Sequence, residues 1–441
     1  LRTKELQACL APHEAIVFVV SLSSYGIDED PRLLLVQSDR IDCVVITALN
    51  QAESAMCRLN NALTSQGRSL SLRYPSVSQF FNDDFNIISL DDCLIELQTA
   101  MQQYRNVLKN LLGPHVSSVH IISQEPFHGL PWQYACPISI SAFYPGLHAF
   151  WQRRHSNQNI KPIMPNRESP LCLLNHGCDD DPMKRLYYLP AEIELICRVW
   201  GEGVVETPDS LPINDGKPRL LFLLGHGSFN NGDAQFGLKQ SKLNAHDIIS
   251  YPNPLYALGT SACLLASHKD IANEPFGLFS LTASRSDIRF GMGAIVPVDD
   301  LWSTCLSLLF HYYWRQLGSP NEAIRSALEA LESGHWPEEA KTLFKMVFAI
   351  QLPLIFNELQ QNIADAPIAL YEQLQLRCEN VLQPWTRHTA YYIRQYNIII
   401  DGYSDEKAKL QATEILVDGF LENLPMNQQA LASFMPFWLW G

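Results

Sequence analysis

His226 and Cys263 are the two residues whose types and settings suit chemistry. His226 stands in Leu223-Leu224-Gly225-His226-Gly227-Ser228, and Cys263 in Leu258-Gly259-Thr260-Ser261-Ala262-Cys263. A cysteine attacks as its thiolate, and imidazole is the side chain that can take the proton near neutral pH. Each residue closes a short apolar run, Arg219 to Leu224 (RLLFLL) and Leu255 to Ala262 (LYALGTSA). Runs of this kind read as buried parallel strands. Such strands would deliver both side chains to one carboxyl edge of a sheet, where open α/β folds build their sites. Taken alone, the pair also reads as a core cysteine and a satisfied loop histidine.

A second pair, His176 and Cys178, lies in Asn175-His176-Gly177-Cys178. Two residues apart on one loop, these side chains are poorly placed for a shared reaction centre. The loop continues as Asp179-Asp180-Asp181-Pro182, which is turn chemistry on a solvated loop or a carboxylate cluster that would favour Arg or Lys in a ligand. Asp299 and Asp300 read as a strand-to-helix cap rather than as ligands.

The elements that must position these residues fall into three regions. In the first, Ala15 to Ser21, Arg32 to Ser38, Ile41 to Ile46, Ser117 to Ile122 and Ile138 to Phe143 carry strand signals. Residues 48–63 and 90–112 carry helical spacing, the second stopping at Gly113-Pro114. This segment, 1–151, is expected as an α/β unit of its own without a catalytic pair. His120 and His128, near its strand ends, have no cysteine at a matching position. Residues 152–169 are polar with two prolines and read as a linker.

A second α/β unit is expected over 170–335. Its strands are Leu171 to Leu174, the two runs above and Gly293 to Val298. Its helices are Pro190 to Trp200, Pro275 to Ser284, Leu301 to Leu317 and Asn321 to Leu331. Residues 336–430 turn helical, with long stretches at 340–363, 368–381, 390–399 and 404–424, and amphipathic spacing that would pack aromatic residues first. The last residues, 431–441, hold the aromatic run Pro436-Phe437-Trp438-Leu439-Trp440, suited to a final strand.

Composition bounds the function. The 441 residues are 47% hydrophobic and 18% charged, an ordinary globular balance that allows two or three domains. Net charge is −14, and the 32 Lys and Arg residues are scattered, with clusters no denser than Arg153-Arg154. That argues against direct nucleic-acid binding. The eleven cysteines are dispersed with no C-x-x-C pair, so neither a metal centre nor a disulfide framework is expected, nor any cofactor. A reducing cytoplasm fits that usage. The longest apolar stretch, Met346 to Phe356, is interrupted by Gln351 and Pro353 and is too short to span a bilayer. No signal peptide is evident, and the start at Leu1 rather than Met reads as a piece of a longer protein.

Seven stretches resemble, in order, the CHAT domain, a caspase-like family of clan CD related to separase and the caspases and often attached to TPR repeats. They are Gly129-Leu130-Pro131-Trp132, Leu189-Pro190-Ala191-Glu192-Ile193-Glu194, Leu224-Gly225-His226-Gly227, Leu243-Asn244-Ala245-His246-Asp247-Ile248, Thr260-Ser261-Ala262-Cys263, Glu274-Pro275-Phe276-Gly277-Leu278, and Gly293-Ala294-Ile295-Val296-Pro297-Val298-Asp299-Asp300. Each is weak alone, since His-Gly and Ala-Cys are common dipeptides. The resemblance covers about residues 10–335 and the tail. The family has a small residue or glycine shortly after its cysteine, whereas this chain has Leu264-Leu265-Ala266, which bears on the primed side of the cleft.

The resemblance implies a caspase-like, mostly parallel sheet flanked by helices, preceded by a pseudo-protease half. It also implies that 336–430 is a helical insertion and 431–441 the returning strand of the catalytic sheet. In its terms Cys263 is the nucleophile and His226 its proton partner, and the backbone N–H groups of Gly227 and Cys263 hold the oxyanion. Asp179, Asp180, Asp181 and Ser261 are the substrate-pocket candidates. The function implied is a cytoplasmic cysteine endopeptidase acting on a specific protein, switched on by a regulatory partner or an upstream repeat region, within bacterial defence or programmed cell death. Two other readings stay open: a catalytically silent caspase-like scaffold, and a thiol hydrolase of small acyl substrates.

Overall fold

The computed structural model describes residues 3–20, 30–46, 51–59, 90–123, 130, 132–144, 146–156, 164–175, 186–212, 215–225, 227–230, 233–238, 242–260, 285, 287–294, 300–363, 384–424 and 437–440. Over these residues the chain is a mixed α/β protein built on two main sheets.

The first sheet holds β1 (Glu14–Val20), β2 (Arg32–Gln37), β3 (Ile41–Val45), β4 (Ser118–Ser123) and β5 (Ser139–Tyr144), in the order β3-β2-β1-β4-β5. β1, β4 and β5 are parallel, while β2 and β3 run antiparallel as a meander. Apolar residues alternate between its faces. Ala15, Val17 and Val19 join a core with the helix Leu90–Leu111, and Ile16 joins Phe150 of the helix Leu147–Ser156. The fully buried Gln37 fixes the end of the helix Leu90–Leu111, accepting from the Gly113 N–H at 3.0 Å and donating to Leu111 O at 3.2 Å. Helix Leu147–Ser156 runs into the stretch expected as linker from Gln152.

The second sheet holds β6 (Leu171–Asn175), β7 (Val205–Glu206), β8 (Arg219–Leu224), β12 (Leu255–Thr260), β13 (Phe290–Ala294) and β14 (Phe437–Trp440), ordered β14-β13-β12-β8-β6-β7. Five strands are parallel, and β14 runs antiparallel along β13 at one edge. A small antiparallel sheet between β8 and β12 contains β9 (Gly227–Asn230), β10 (Asp233–Gly237) and β11 (Lys242–Asn244). Every residue of β8 is buried, as expected of a strand covered on both faces. Leu220, Phe222 and Leu224 point to one core; Leu221 and Leu223 point to the other. In β12 a register shift between Leu255 and Ala257 puts Leu255 and Leu258 on one face although they are three residues apart.

One face of this sheet is covered by the helices Leu189–Trp200, Asp300–Leu317 and Pro320–Ser333. The helices Glu338–Ile363, Pro384–Gly402 and Glu406–Glu422 extend the same apolar cluster through Phe344, Phe348, Tyr392 and Phe420. The C-terminal helical region therefore shares its core with the sheet rather than burying one of its own. The two sheets meet edge to edge at β5 and β14. Helix Pro320–Ser333 ties this seam, with Asn321 Nδ2 donating to Ser141 O at 2.7 Å and Arg325 Nη1 to Ser139 Oγ at 3.0 Å.

Candidate functional site

The chain leaves β6 and β8 on opposite faces of the second sheet. After β6 it passes to the helix Leu189–Trp200 on one face. After β8 it passes to the small sheet and the helix Ala245–Ile249, whose Phe236, Leu243 and Ile248 pack on the other. Adjacent parallel strands whose connections part in this way leave a crevice outside their carboxyl ends, the usual ligand position in open α/β sheets.

Three strand ends meet along this edge. Asn175 of β6 is level with Leu224 of β8, and Leu223 of β8 is level with Thr260 of β12. His226 follows Leu224 by two residues and Cys263 follows Thr260 by three. Both lie outside the described residues, as do Ser261, His176, Cys178, Asp179, Asp180 and Asp181, which follow Thr260 and Asn175. Of the oxyanion candidates, the backbone of Gly227 is described. It opens β9 and pairs with Phe236 of β10.

Gly225 makes the turn out of β8. It is buried and has φ 154°, a value that residues with a side chain rarely adopt. A glycine is therefore needed at the step between strand and His226. On β12 the matching constraint is Gly259, where an added Cβ would meet the Phe222 ring.

Polar groups fix the elements around the edge. Asp300, the first residue of the helix Asp300–Leu317, accepts the Tyr188 N–H at 2.9 Å, so its carboxylate caps the entrance to the neighbouring helix Leu189–Trp200. Ser307 Oγ donates to the buried Glu192 of that helix. The stretch Leu243 to Ile248 is a capping box: Asn244 Oδ1 accepts from the Asp247 N–H at 3.0 Å, and Asp247 Oδ2 from the Asn244 N–H at 2.8 Å. Leu130 and Trp132 are core residues, with Trp132 packed 6.0 Å from the Tyr104 ring.

Burial weakens most of the described thiols as nucleophiles, Cys43 and Cys57 being the exposed ones. Burial pushes Cys136 and Cys172 up to about 12, and it raises Cys9, Cys93 and Cys197 as well. Cys305 is fully buried among helix side chains. Among the histidines, His311 accepts from Trp200 Nε1 at 3.0 Å, and burial holds it down to about 3, so it serves as a neutral core acceptor. His120 is buried beside Glu14 and Arg154 on β4 of the first sheet. Among the described residues no group of three or more His, Cys, Asp or Glu could hold a metal ion. No helix among them is long and apolar enough to cross a membrane. Neither a protein-family model nor a curated protein matches the chain.

Proposed function

We propose that this chain is a caspase-like cysteine endopeptidase in which Cys263 is the nucleophile and His226 its proton partner. One observation carries the reading: β8 and β12 are hydrogen-bonded neighbours with level carboxyl ends, Leu223 beside Thr260, and the two reactive residue types follow those ends within three residues. Three residues of chain reach about 10 Å at most, so two neighbouring strand ends are a sound base for a dyad.

The Cys263 thiolate attacks the substrate carbonyl carbon, and the oxyanion is held by the N–H groups of Gly227 and Cys263. The C–N bond then breaks as the His226 imidazolium gives its proton to the leaving amine. Water, deprotonated by His226, hydrolyses the thioester and restores the thiol. Asp179, Asp180, Asp181 and Ser261 follow β6 and β12 at the same edge and would select an Arg or Lys side chain before the scissile bond. A specific protein is the substrate, and a regulatory partner or an upstream repeat region controls access, in the cytoplasm.

The test is covalent labelling of the whole chain with peptidyl acyloxymethyl ketones that carry Arg, Lys or Asp at the reactive end. We expect labelling at Cys263, faster with Arg or Lys, and abolished by Cys263→Ala and nearly so by His226→Ala, since the two act as a unit. The exposed Cys43 and Cys57 serve as internal controls. Label spread over those two thiols and indifferent to His226→Ala would overturn the reading.

A further inference from the structure

Between β1, β4 and the helix Leu147–Ser156, three polar side chains meet in a conflict at one atom. His120 lies on β4 and is only 5% exposed. Its Nε2 is 2.8 Å from Arg154 Nη2, in the last turn of that helix, and 3.3 Å from Glu14 Oε1, at the start of β1. A guanidinium only donates and a carboxylate only accepts. Toward Arg154, Nε2 must be a bare acceptor; toward Glu14, it must carry a proton. It cannot be both at once.

The surroundings leave this conflict to the three residues themselves. Arg154 also bonds Glu14 Oε2, and that oxygen accepts the Ala11 N–H at 2.9 Å. Burial opposes a charge on Glu14, yet the bonds from His120 and the Ala11 N–H hold its carboxyl down to about 2, so it is ionised at neutral pH. Tyr144 of β5 and Phe150 of the helix pack on the imidazole, with centroids 5.9 and 5.5 Å away, and bring no charge. The Cys9 thiol, within electrostatic reach of Arg154 and Glu5, is raised by burial and keeps its proton.

We infer that Glu14, His120 and Arg154 form a proton-operated latch on the helix Leu147–Ser156. With His120 neutral, Nε2 accepts from Arg154, and the guanidinium is shared between ring and carboxylate. With His120 protonated, Nε2 donates to Glu14 alone, and repulsion between like charges drives the guanidinium away. Arg154 is 28% exposed, so it has a path to solvent. The helix then keeps Phe150 in the core of the first sheet but loses the anchor of its last turn.

Burial lowers His120 below the ordinary histidine value; Glu14 pulls it back and the charge of Arg154 adds to the fall. The released state, with an ordinary value of about 6.5, therefore takes up the proton first. The latch is fully closed above about pH 6.5, and below it the ratio of open to closed rises by up to about tenfold per pH unit. This helix is the last described element before the chain enters β6 of the second sheet, so the latch fixes the end of the first α/β unit. It operates whether or not the chain cleaves peptide bonds, and its test reads local opening and not hydrolysis.

The experiment is hydrogen exchange of the full chain, followed by mass spectrometry on the peptide covering 147–156, with labelling times scaled to the intrinsic exchange rate at each pH. From about pH 7.5 to about pH 5.5, protection of this peptide should fall by about fivefold to tenfold. His120→Gln offers an amide oxygen to Arg154 and an amide N–H to Glu14 without titrating, and should flatten the profile. Arg154→Met removes the guanidinium and should lower protection at about pH 7.5 to near the parent's acid value, with no further fall toward about pH 5.5. The inference is overturned if the parent's protection is the same at both pH values, or if Arg154→Met falls as steeply as the parent. A His120→Gln protein that melts like the parent at neutral pH and falls as steeply also overturns it. Where His120→Gln melts lower than the parent, the slope of Arg154→Met decides.

Discussion

The ring of Phe222 fills the space that a side chain on Gly259 would need. A Cβ at Gly259 would lie 2.2 Å from Phe222 Cε1. The two residues are register partners on β8 and β12, each four positions before the proposed catalytic residue of its strand. Phe222 has little room to yield, because its ring packs against His311 at 5.0 Å, Trp314 at 6.1 Å and Phe310 at 6.2 Å. Gly259→Ala should therefore destabilise the protein by about 1–3 kcal/mol through overpacking. Urea unfolding reads this as a lower midpoint, and an unchanged midpoint would mean that the ring moves aside freely.

Gly225 predicts a different kind of loss. Its φ of 154° suits glycine alone, so Gly225→Ala must strain the turn or redirect it. The strain should be about 1–3 kcal/mol. If the turn aims His226, labelling at Cys263 should fall by more than the loss of folded protein explains. Parallel measurements of labelling rate and unfolding midpoint separate the two effects. Full labelling in a folded Gly225→Ala protein would detach the turn from the site.

The parts of the fold that were legible in the sequence are those whose local pattern and tertiary environment agree. RLLFLL reads as a strand because both of its faces are covered. Strand β9 (GSFN) and strand β10 (DAQFG) gave no signal: they are short and polar, and are held by pairing with each other. Helix Leu147–Ser156 was obscured by the polar residues at its end, although Phe150 anchors it in a core of the first sheet. The bond of Asp300 to the Tyr188 N–H spans 112 residues and follows no local rule. The chemistry proposed for His226 and Cys263 rests on residue type and position in the chain. That β8 and β12 are neighbours with level ends is a fact of topology that periodicity does not contain.

Acid should weaken the fold through His311. Burial depresses its folded-state value to about 3, against an ordinary histidine value of about 6.5 in the unfolded chain. The unfolded state thus takes up the proton first. Stability is complete above about pH 6.5 and falls as the pH drops toward about 3. His388, held down to about 4 by burial, adds to the fall in the same direction. His311→Asn retains an acceptor for the Trp200 N–H but does not titrate there. Its unfolding midpoint at pH 7 should be lower than the parent's, and its decline between pH 6.5 and 4 shallower. Parallel declines would assign the acid sensitivity to other groups.

Strand β14 closes the second sheet on the side facing the first. Gly291, Met292, Gly293 and Ala294 of β13 are paired with Trp440, Leu439, Trp438 and Phe437. Deleting residues 437–441 removes this ladder and leaves β13 as a bare parallel edge, open to pairing with other chains. It also removes the strand that lies beside β5, and with it part of the seam between the sheets. At about 0.5–1.5 kcal/mol per lost hydrogen bond, the truncation should cost on the order of 2–4 kcal/mol. The expected result is a lower urea midpoint together with light scattering that rises with protein concentration. A truncated chain that unfolds at the parental midpoint and stays monomeric would show that β14 contributes nothing to the sheet it borders.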